Sequence, residues 1–231
     1  MNPERHTAYD YAKDFWLPAF LGVATIVATV WGKSGLWVLG LGLATILASV
    51  VLIARVRKRN RDQTQVKARE RTASIYYPKF REHVHSFEEF VDTRTNDTLH
   101  YMVLNDFTGP VRDEFNKRIG AVPLIIWNQF WVFFKERVDR TEPNFTELAA
   151  GVQEFHHLVG QFINLSVAPI FDHLPNEIRA GLTEQQRGRL NGFQQRLTLY
   201  LRDYTAFLKE LSQISPELDR LPRHFPRVNP L

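Results

Sequence analysis

The chain carries two apolar runs near its N-terminus, WLPAFLGVATIVATVW at residues 16–31 and GLWVLGLGLATILASVVLIA at residues 35–54. Neither run contains an acidic, basic or histidine residue. At a rise of ~1.5 Å per residue, the second run is long enough to cross a hydrocarbon core of about 30 Å. The first run is shorter, but it is flanked by aromatic residues that suit the water boundary. We therefore predict a transmembrane helical hairpin over residues 15–54, with helices at 15–31 and 35–54. A cleaved signal peptide is the alternative for the first run.

A dense basic cluster closes the second run. It consists of Arg55, Arg57, Lys58, Arg59 and Arg61. Residues 55–71 contain eight Lys or Arg against two acidic residues. Lys and Arg beside a span favour the cytoplasmic side and attract anionic headgroups. The sequence thus predicts a lead-in at residues 1–14 and a basic juxtamembrane helix at 55–71. It predicts an integral protein of the plasma (inner) membrane, with both termini cytoplasmic and anionic lipid contacting 55–71.

Small residues recur at four-residue spacing within both predicted spans. They are Ala24 and Ala28 in the first, and Gly40, Ala44 and Ala48 in the second. Such faces let two helices approach closely in a membrane. This transmembrane packing face either joins the two spans of one chain or joins spans of two protomers, and the sequence leaves both open.

Charge and cysteine content exclude several classes of function. The formal net charge is +4, but residues 72–231 carry −2 by difference, so the basic character is local to the predicted membrane edge. Nucleic-acid binding would need a wider basic face with stacking aromatics nearby, and we predict none. The chain has no cysteine, which excludes disulfides, thiolate metal sites and cysteine nucleophiles.

Residues 72–231 show the period of amphipathic helices. Apolar residues recur at spacings of three and four, as in Leu190, Phe193, Leu197, Tyr200, Tyr204, Phe207 and Leu211. Asn144 with Glu147, and Thr183 with Gln186, have the spacing of capping boxes. Pro78 predicts an interruption of the first stripe, with a kink in its helix. The fold predicted is all-α: the hairpin, then a cytoplasmic bundle of four or five helices.

The end of the chain, residues 215–231, is predicted to be an extended, proline-rich tail. Residues 221–231 contain three prolines, and proline lacks the N–H that a helix interior requires. Phe225 and neighbouring apolar residues give the tail anchors. It is either a strap on its own bundle or a docking tail for a partner.

Residues 121–134, AVPLIIWNQFWVFF, leave almost no polar face. The run is too short to span a bilayer. A helix that is apolar all round is central to its bundle, lies in a membrane interface, or forms an oligomer face. We take its aromatic residues as the candidate interaction surface: Trp127, Phe130, Trp131 and Phe134.

Two Glu-x-x-His pairs, Glu82 with His85 and Glu154 with His157, have the spacing that di-iron bundles use. On helical wheels, however, both histidines lie nearly opposite the apolar stripes. We therefore predict no metal and no cofactor. Phosphate loops, nucleophile elbows and zinc-protease motifs are absent from the sequence, so no small-molecule substrate or enzymatic activity is predicted.

The function predicted is that of a membrane-anchored interaction or scaffold protein, which holds a cytoplasmic helical domain at the membrane. Its partner is a second protein or another copy of the chain. Two alternatives remain open. One is an oligomerising membrane effector, a pore or bilayer-perturbing protein controlled by the bundle. The other is a membrane-surface enzyme of unrecognised type.

Overall fold

The computed structural model describes residues 19–27, 29–31, 35–139, 144–214 and 225. All regular structure in these residues is helical, which confirms the all-α prediction. From Gly35 onward they form eight α-helices, of which five have eleven residues or more. These are α1 (Gly35–Val91), α2 (Leu99–Tyr101), α3 (Gly109–Ile119), α4 (Val122–Phe133), α5 (Phe145–Phe162), α6 (Ala168–Phe171), α7 (Asn176–Ala180) and α8 (Glu184–Ile214). The total exceeds the predicted four or five because α2, α6 and α7 have five residues or fewer.

π-Helical turns continue three of these helices, at Met102–Asp106, Phe134–Val138 and Ile163–Val167. Residues 19–27 and 29–30 are helical as well. The predicted lead-in at residues 1–14 lies outside the described residues. So does the predicted tail at 215–231, apart from Phe225.

The chain divides into two compact units, Met1–Ala68 and Arg69–Leu231. Within the described part of the chain, no helix is both long and apolar enough to cross a membrane. The structure therefore does not support the transmembrane hairpin predicted at residues 15–54. Of that hairpin, residues 15–18, 28 and 32–34 lie outside the described residues.

Helix α1 continues through Pro78, so the interruption predicted there is wrong. Proline removes one backbone hydrogen bond from a helix, but packing on both sides of it can keep the helix continuous. Here Tyr77 and Phe80 are both buried. The Tyr77 hydroxyl also lies 2.9 Å from the carbonyl oxygens of Arg137 and Val138, to which it donates. These contacts fix the turn that contains the proline.

The core of the second unit is rich in aromatic rings, contributed mainly by α1, α4, α5 and α8. The Phe155 ring lies 5.4 Å from the rings of Phe87 and Tyr204, and 5.6 Å from that of Phe133. Edge-to-face and offset ring pairs at such distances add to the energy of burial. The core thus forms where the predicted apolar stripes of these helices meet.

Both predicted caps form. Asn144 accepts a hydrogen bond from the backbone N–H of Glu147, at 2.9 Å. Thr183 and Gln186 make the two reciprocal bonds of a capping box, at 2.9 and 3.2 Å. Gln186 also donates to the carbonyl oxygen of Asp106 at 3.0 Å. The Gln186 side chain therefore caps α8 and also links it to Asp106, the last residue of the π-helical turn that continues α2.

Candidate functional site

The first unit exposes a large amount of apolar surface. Twelve large apolar side chains between residues 20 and 53 expose 46% or more of their area. They are Phe20, Val23, Ile26, Val27, Val30, Trp31, Leu43, Ile46, Leu47, Val50, Val51 and Ile53. So many exposed large apolar side chains are uncommon on proteins that remain in water, and exposed apolar patches mark binding sites for proteins or membranes.

The predicted small-residue face is only partly covered. Ala24, Ala44 and Ala48 are half-buried, Gly40 is exposed, and Ala28 lies outside the described residues. A Cβ atom added at Gly40 would meet no described atom within 4 Å. Within the described chain, nothing packs closely against this glycine.

The basic cluster lies on the exposed surface of α1. All five of its residues, Arg55, Arg57, Lys58, Arg59 and Arg61, are exposed. Their charged ends are accessible to solvent or to an anionic surface.

The four aromatic residues of the predicted interaction surface occupy different environments. Phe130 is completely buried, so it belongs to the core and not to a surface. Trp127 and Phe134 are half-buried, and Trp131 exposes 41% of its area. The reason is the helical period: Ile126, Phe130 and Phe133 of α4 face the core together, which turns Trp131 outward.

Trp131 lies in a ladder of stacked rings at the edge of α4. Its ring centroid is 6.0 Å from that of Trp127 and 5.9 Å from that of Phe134. The ring planes of Trp131 and Phe134 are nearly parallel, at an angle of 3°. Two cations rest on this ladder. The Arg94 guanidinium is 5.6 Å from the Trp127 ring, and the Lys135 ammonium is 5.2 Å from the Trp131 ring. Cations over ring faces are electrostatically favourable, and they hold the ladder in place.

The rest of the exposed face of α4 mixes three aliphatic side chains, which were not predicted as surface residues, with the exposed amides of Asn128 and Gln129. Leu124, Ile125 and Val132 are all exposed. The signal in the sequence was the small number of polar residues across 121–134. Such a run supplies both the core side and the outer side of one helix, but sequence alone does not tell which residue serves which side.

The two Glu-x-x-His pairs lie on the surface, as their helix faces predicted. Glu82, His85, Glu154 and His157 are all exposed. Glu154 forms an ion pair with Arg137 at 3.0 Å, and His157 contacts Gln161 at 3.0 Å. In the described part of the chain, no group of three potential side-chain ligands is placed to hold a metal ion.

A buried polar cluster inside the bundle was not predicted. His156 and Tyr204 are buried, and His156 Nδ1 and the Tyr204 hydroxyl have no hydrogen-bond partner among the described residues. The Phe225 ring packs 4.7 Å from the His156 ring and 6.0 Å from the Tyr204 ring. Burial lowers the pKa of His156 and of the neighbouring His83, because it disfavours the charged imidazolium.

Comparisons with known proteins give no assignment for these surfaces. No family model matches the chain, and neither a curated protein nor a solved structure matches it significantly.

Proposed function

We propose that this protein is a membrane-anchored helical interaction protein. Its apolar N-terminal region attaches it to a lipid bilayer, and its helical bundle presents a surface to a partner. The observation that carries the proposal is the set of twelve exposed apolar side chains between residues 20 and 53.

The free energy available from covering these side chains is large. Full burial of one Val, Leu, Ile or Phe side chain is worth about 1.5–3 kcal/mol. These side chains are already partly covered, so covering the remaining area of each contributes about 1 kcal/mol. The set of twelve then contributes on the order of 10 kcal/mol. A bilayer supplies this burial over the whole surface at once, whereas a peripheral contact with one partner covers one side.

The basic cluster supports the same proposal and indicates how the protein is oriented in the membrane. Basic residues beside an inserted segment remain on the cytoplasmic side and attract anionic headgroups, at about 1 kcal/mol for each residue near the surface. The basic cluster begins at Arg55, two residues after Ile53, which is the last large exposed apolar residue of the second run. The bundle that follows is then cytoplasmic.

The outer face of α4 is the proposed partner surface of the bundle. It combines four exposed apolar side chains with two exposed amides, Asn128 and Gln129, and with the cation Lys135. The apolar residues are Leu124, Ile125, Trp131 and Val132. Tryptophan is enriched among the residues that dominate binding energy at protein interfaces. The ring ladder holds Trp131 in one orientation, which reduces the entropy lost on binding.

The test of membrane attachment uses the full chain in isolated membranes. We expect the protein to remain with the membrane in alkaline carbonate and in high salt. The double variant Leu47→Asp, Val50→Asp should release a large fraction, since two carboxylates oppose burial of that face. The matched control is Val66→Asp, which alters an exposed apolar residue of α1 within the basic segment and should not release the protein. Extraction of the unaltered protein by carbonate would contradict the proposal.

The depth of insertion needs a separate measurement. The chain has no cysteine, so single cysteines report their own accessibility. If the two runs form a hairpin across the bilayer, Lys33→Cys is labelled by an impermeant maleimide from outside intact cells. Arg59→Cys is then labelled only after permeabilisation. Protection of both positions in intact cells, with labelling of both after permeabilisation, would replace the spanning hairpin by a cytoplasmic interfacial attachment.

A second candidate function is an oligomerising membrane effector, favoured by the open space at Gly40. A second copy could approach closely at this exposed glycine. Gly40→Leu should then abolish chemically cross-linked oligomers in membranes. Gly188→Leu is the control, since Gly188 of α8 also has open space but lies in the bundle. Equal cross-linking of both variants and the unaltered protein would remove this candidate.

A further inference from the structure

A long groove runs between α1 and α8 on the surface of the bundle, with a volume of about 720 Å³. The two helices are antiparallel along it. Lys79 of α1 forms an ion pair with Glu210 of α8 at 3.0 Å. Eleven residues further along α1, the Phe90 ring lies 5.8 Å from that of Phe193. The residues lining the groove recur at three- and four-residue spacing on both helices, so each helix contributes one continuous face.

The floor of the groove is apolar and its middle is made of small residues. Phe207 and Tyr200 are buried floor residues, and Leu199 exposes 51% of its area. Ser86 of α1 and Ala206 of α8 are short and leave space above the floor. An exposed leucine beside short side chains offers a seat for apolar side chains from outside.

The rim of the groove is acidic. Glu82, Glu89, Asp203 and Glu210 line it, against the cations Lys79 and Arg196. Glu210 is neutralised by Lys79 at one end, and Arg196 lies 3.8 Å from Asp97 at the other. Glu82 and Glu89 take part in no ion pair with any described residue, and both are exposed. The α1 side of the groove therefore presents two carboxylates without an ion-pair partner among the described residues, Glu82 near the Lys79 end and Glu89 near the Arg196 end.

The dimensions of the groove match a helix. The lining residues Lys79 to Phe90 cover about 17 Å of α1, and Arg196 to Glu210 cover about 21 Å of α8, at ~1.5 Å per residue. A third helix of about 12 to 14 residues has the same length. An amphipathic helix binds such a groove by placing anchors at positions i, i+3, i+4 and i+7 on the apolar floor.

We propose that this groove binds a basic amphipathic helix of a partner protein. Aliphatic side chains of that helix contact Leu199 and Phe207, and its Lys or Arg side chains face Glu82 and Glu89. The inference deepens the proposed interaction role of the bundle and rests on it. It does not depend on membrane attachment or on the outer face of α4.

Charge and shape select this occupant over others. An acidic rim repels nucleic acid and anionic lipid headgroups, since like charges across an interface are unfavourable. The groove is also open along its length, whereas sites for small ligands enclose most of the ligand surface.

The test measures binding of two labelled 14-residue peptides to the full-length protein in a nonionic detergent. Both peptides have leucine at positions 1, 4, 8 and 11. The remaining positions are alanine and lysine in one, and alanine and glutamate in the other. By fluorescence anisotropy, we expect the lysine peptide to bind at least about tenfold more tightly than the glutamate peptide. We expect this difference to shrink as salt is raised.

Variants locate the binding in the groove. Glu82→Lys with Glu89→Lys should weaken the lysine peptide by about tenfold. Leu199→Ser should weaken both peptides by about fivefold, through lost apolar contact. The matched control is Asp113→Lys with Glu177→Lys, the same charge change at exposed acidic residues outside the groove, and it should leave the affinity unchanged.

Several results would overturn the inference. They are failure of both peptides to bind, an equal loss in the control variant, or no effect of Leu199→Ser. If the groove inference fails while the protein stays attached to membranes in carbonate, the anchoring proposal stands and this groove is not its partner site. If carbonate releases the protein from membranes while the lysine peptide still binds the groove, the groove inference stands and the anchoring proposal fails.

Discussion

The buried hydroxyl of Tyr204 gives the sharpest prediction about stability. Tyr204 is completely buried, and its hydroxyl has no hydrogen-bond partner among the described residues. Burial also raises the pKa of this phenol, because it disfavours the charged phenolate, so the group stays neutral at any ordinary pH. A buried, unpaired polar group destabilises the folded state by about 1–3 kcal/mol. Tyr204→Phe removes that group and keeps the ring, so it should stabilise the protein by about 1 kcal/mol.

Tyr77 is the matched control. It is also a buried tyrosine, but its hydroxyl donates to two carbonyl oxygens at 2.9 Å, those of Arg137 and Val138. One hydroxyl proton is shared between the two acceptors. Tyr77→Phe should therefore destabilise the protein by about 1–2 kcal/mol, the net value of the lost hydrogen bonding. The same chemical change thus has opposite signs at the two positions.

The assay is urea unfolding of the full chain in a nonionic detergent, followed by tryptophan fluorescence. Trp127 and Trp131 lie in the bundle and report on it. The midpoints should shift in opposite directions with unchanged m-values, because neither variant alters the surface exposed on unfolding. Each 1 kcal/mol corresponds to about 2–4 °C in thermal midpoint for a domain of this size. If Tyr204→Phe is destabilising by as much as Tyr77→Phe, the Tyr204 hydroxyl is well bonded and the reasoning is refuted.

Three further predictions concern the core, a cap and pH. Phe155→Ala should lower the free energy of unfolding by about 3–5 kcal/mol, because removal of this fully buried ring leaves a cavity. The same urea titration measures the change. A loss below about 1 kcal/mol would mean that the surrounding side chains close the cavity. Gln186→Ala should lower the free energy of unfolding by about 1–2 kcal/mol, since Gln186 caps α8 and bonds Asp106. Gln195→Ala, at an exposed position in the middle of the same helix, is the control and should lower it by less than about 0.5 kcal/mol. Burial lowers the pKa of three histidines, at positions 83, 100 and 156. Below about pH 6.5 the unfolded chain then binds more protons than the folded chain, so the free energy of unfolding should be highest above that pH and fall below it. His156→Gln should make that fall shallower. Urea midpoints that do not change between about pH 7 and pH 5 would contradict this prediction.

Much of the bundle follows from local pattern. Asn144 accepts the predicted cap hydrogen bond from the Glu147 N–H, and Thr183 with Gln186 forms a complete capping box, because a cap depends on residues only three positions apart. The stripe from Leu190 to Leu211 lies on the buried side of α8, because the helical period places those residues on one face.

Other features could not be read from local pattern. Pro78 predicted an interruption that packing around Tyr77 overrides. The apolar run of α4 contains both core and surface residues. Only the tertiary structure shows which is which: Phe130 packs against Phe87 of α1, whereas Trp131 is exposed. The separation depends on which neighbouring helices cover α4, and sequence spacing carries no information about that.

The sequence by itself determined that the chain is helical, that its N-terminal region is apolar, and that a basic cluster follows. These properties are local, since helical period and side-chain polarity act over a few residues. Only the tertiary structure decided where the groove lies and what charge it presents. The groove exists because α1 and α8 pack antiparallel, which brings Lys79 within 3.0 Å of Glu210, a residue 131 positions away in the chain. Packing at that distance brings the acidic face of one helix beside the apolar face of another, and no stretch of sequence shows the two together.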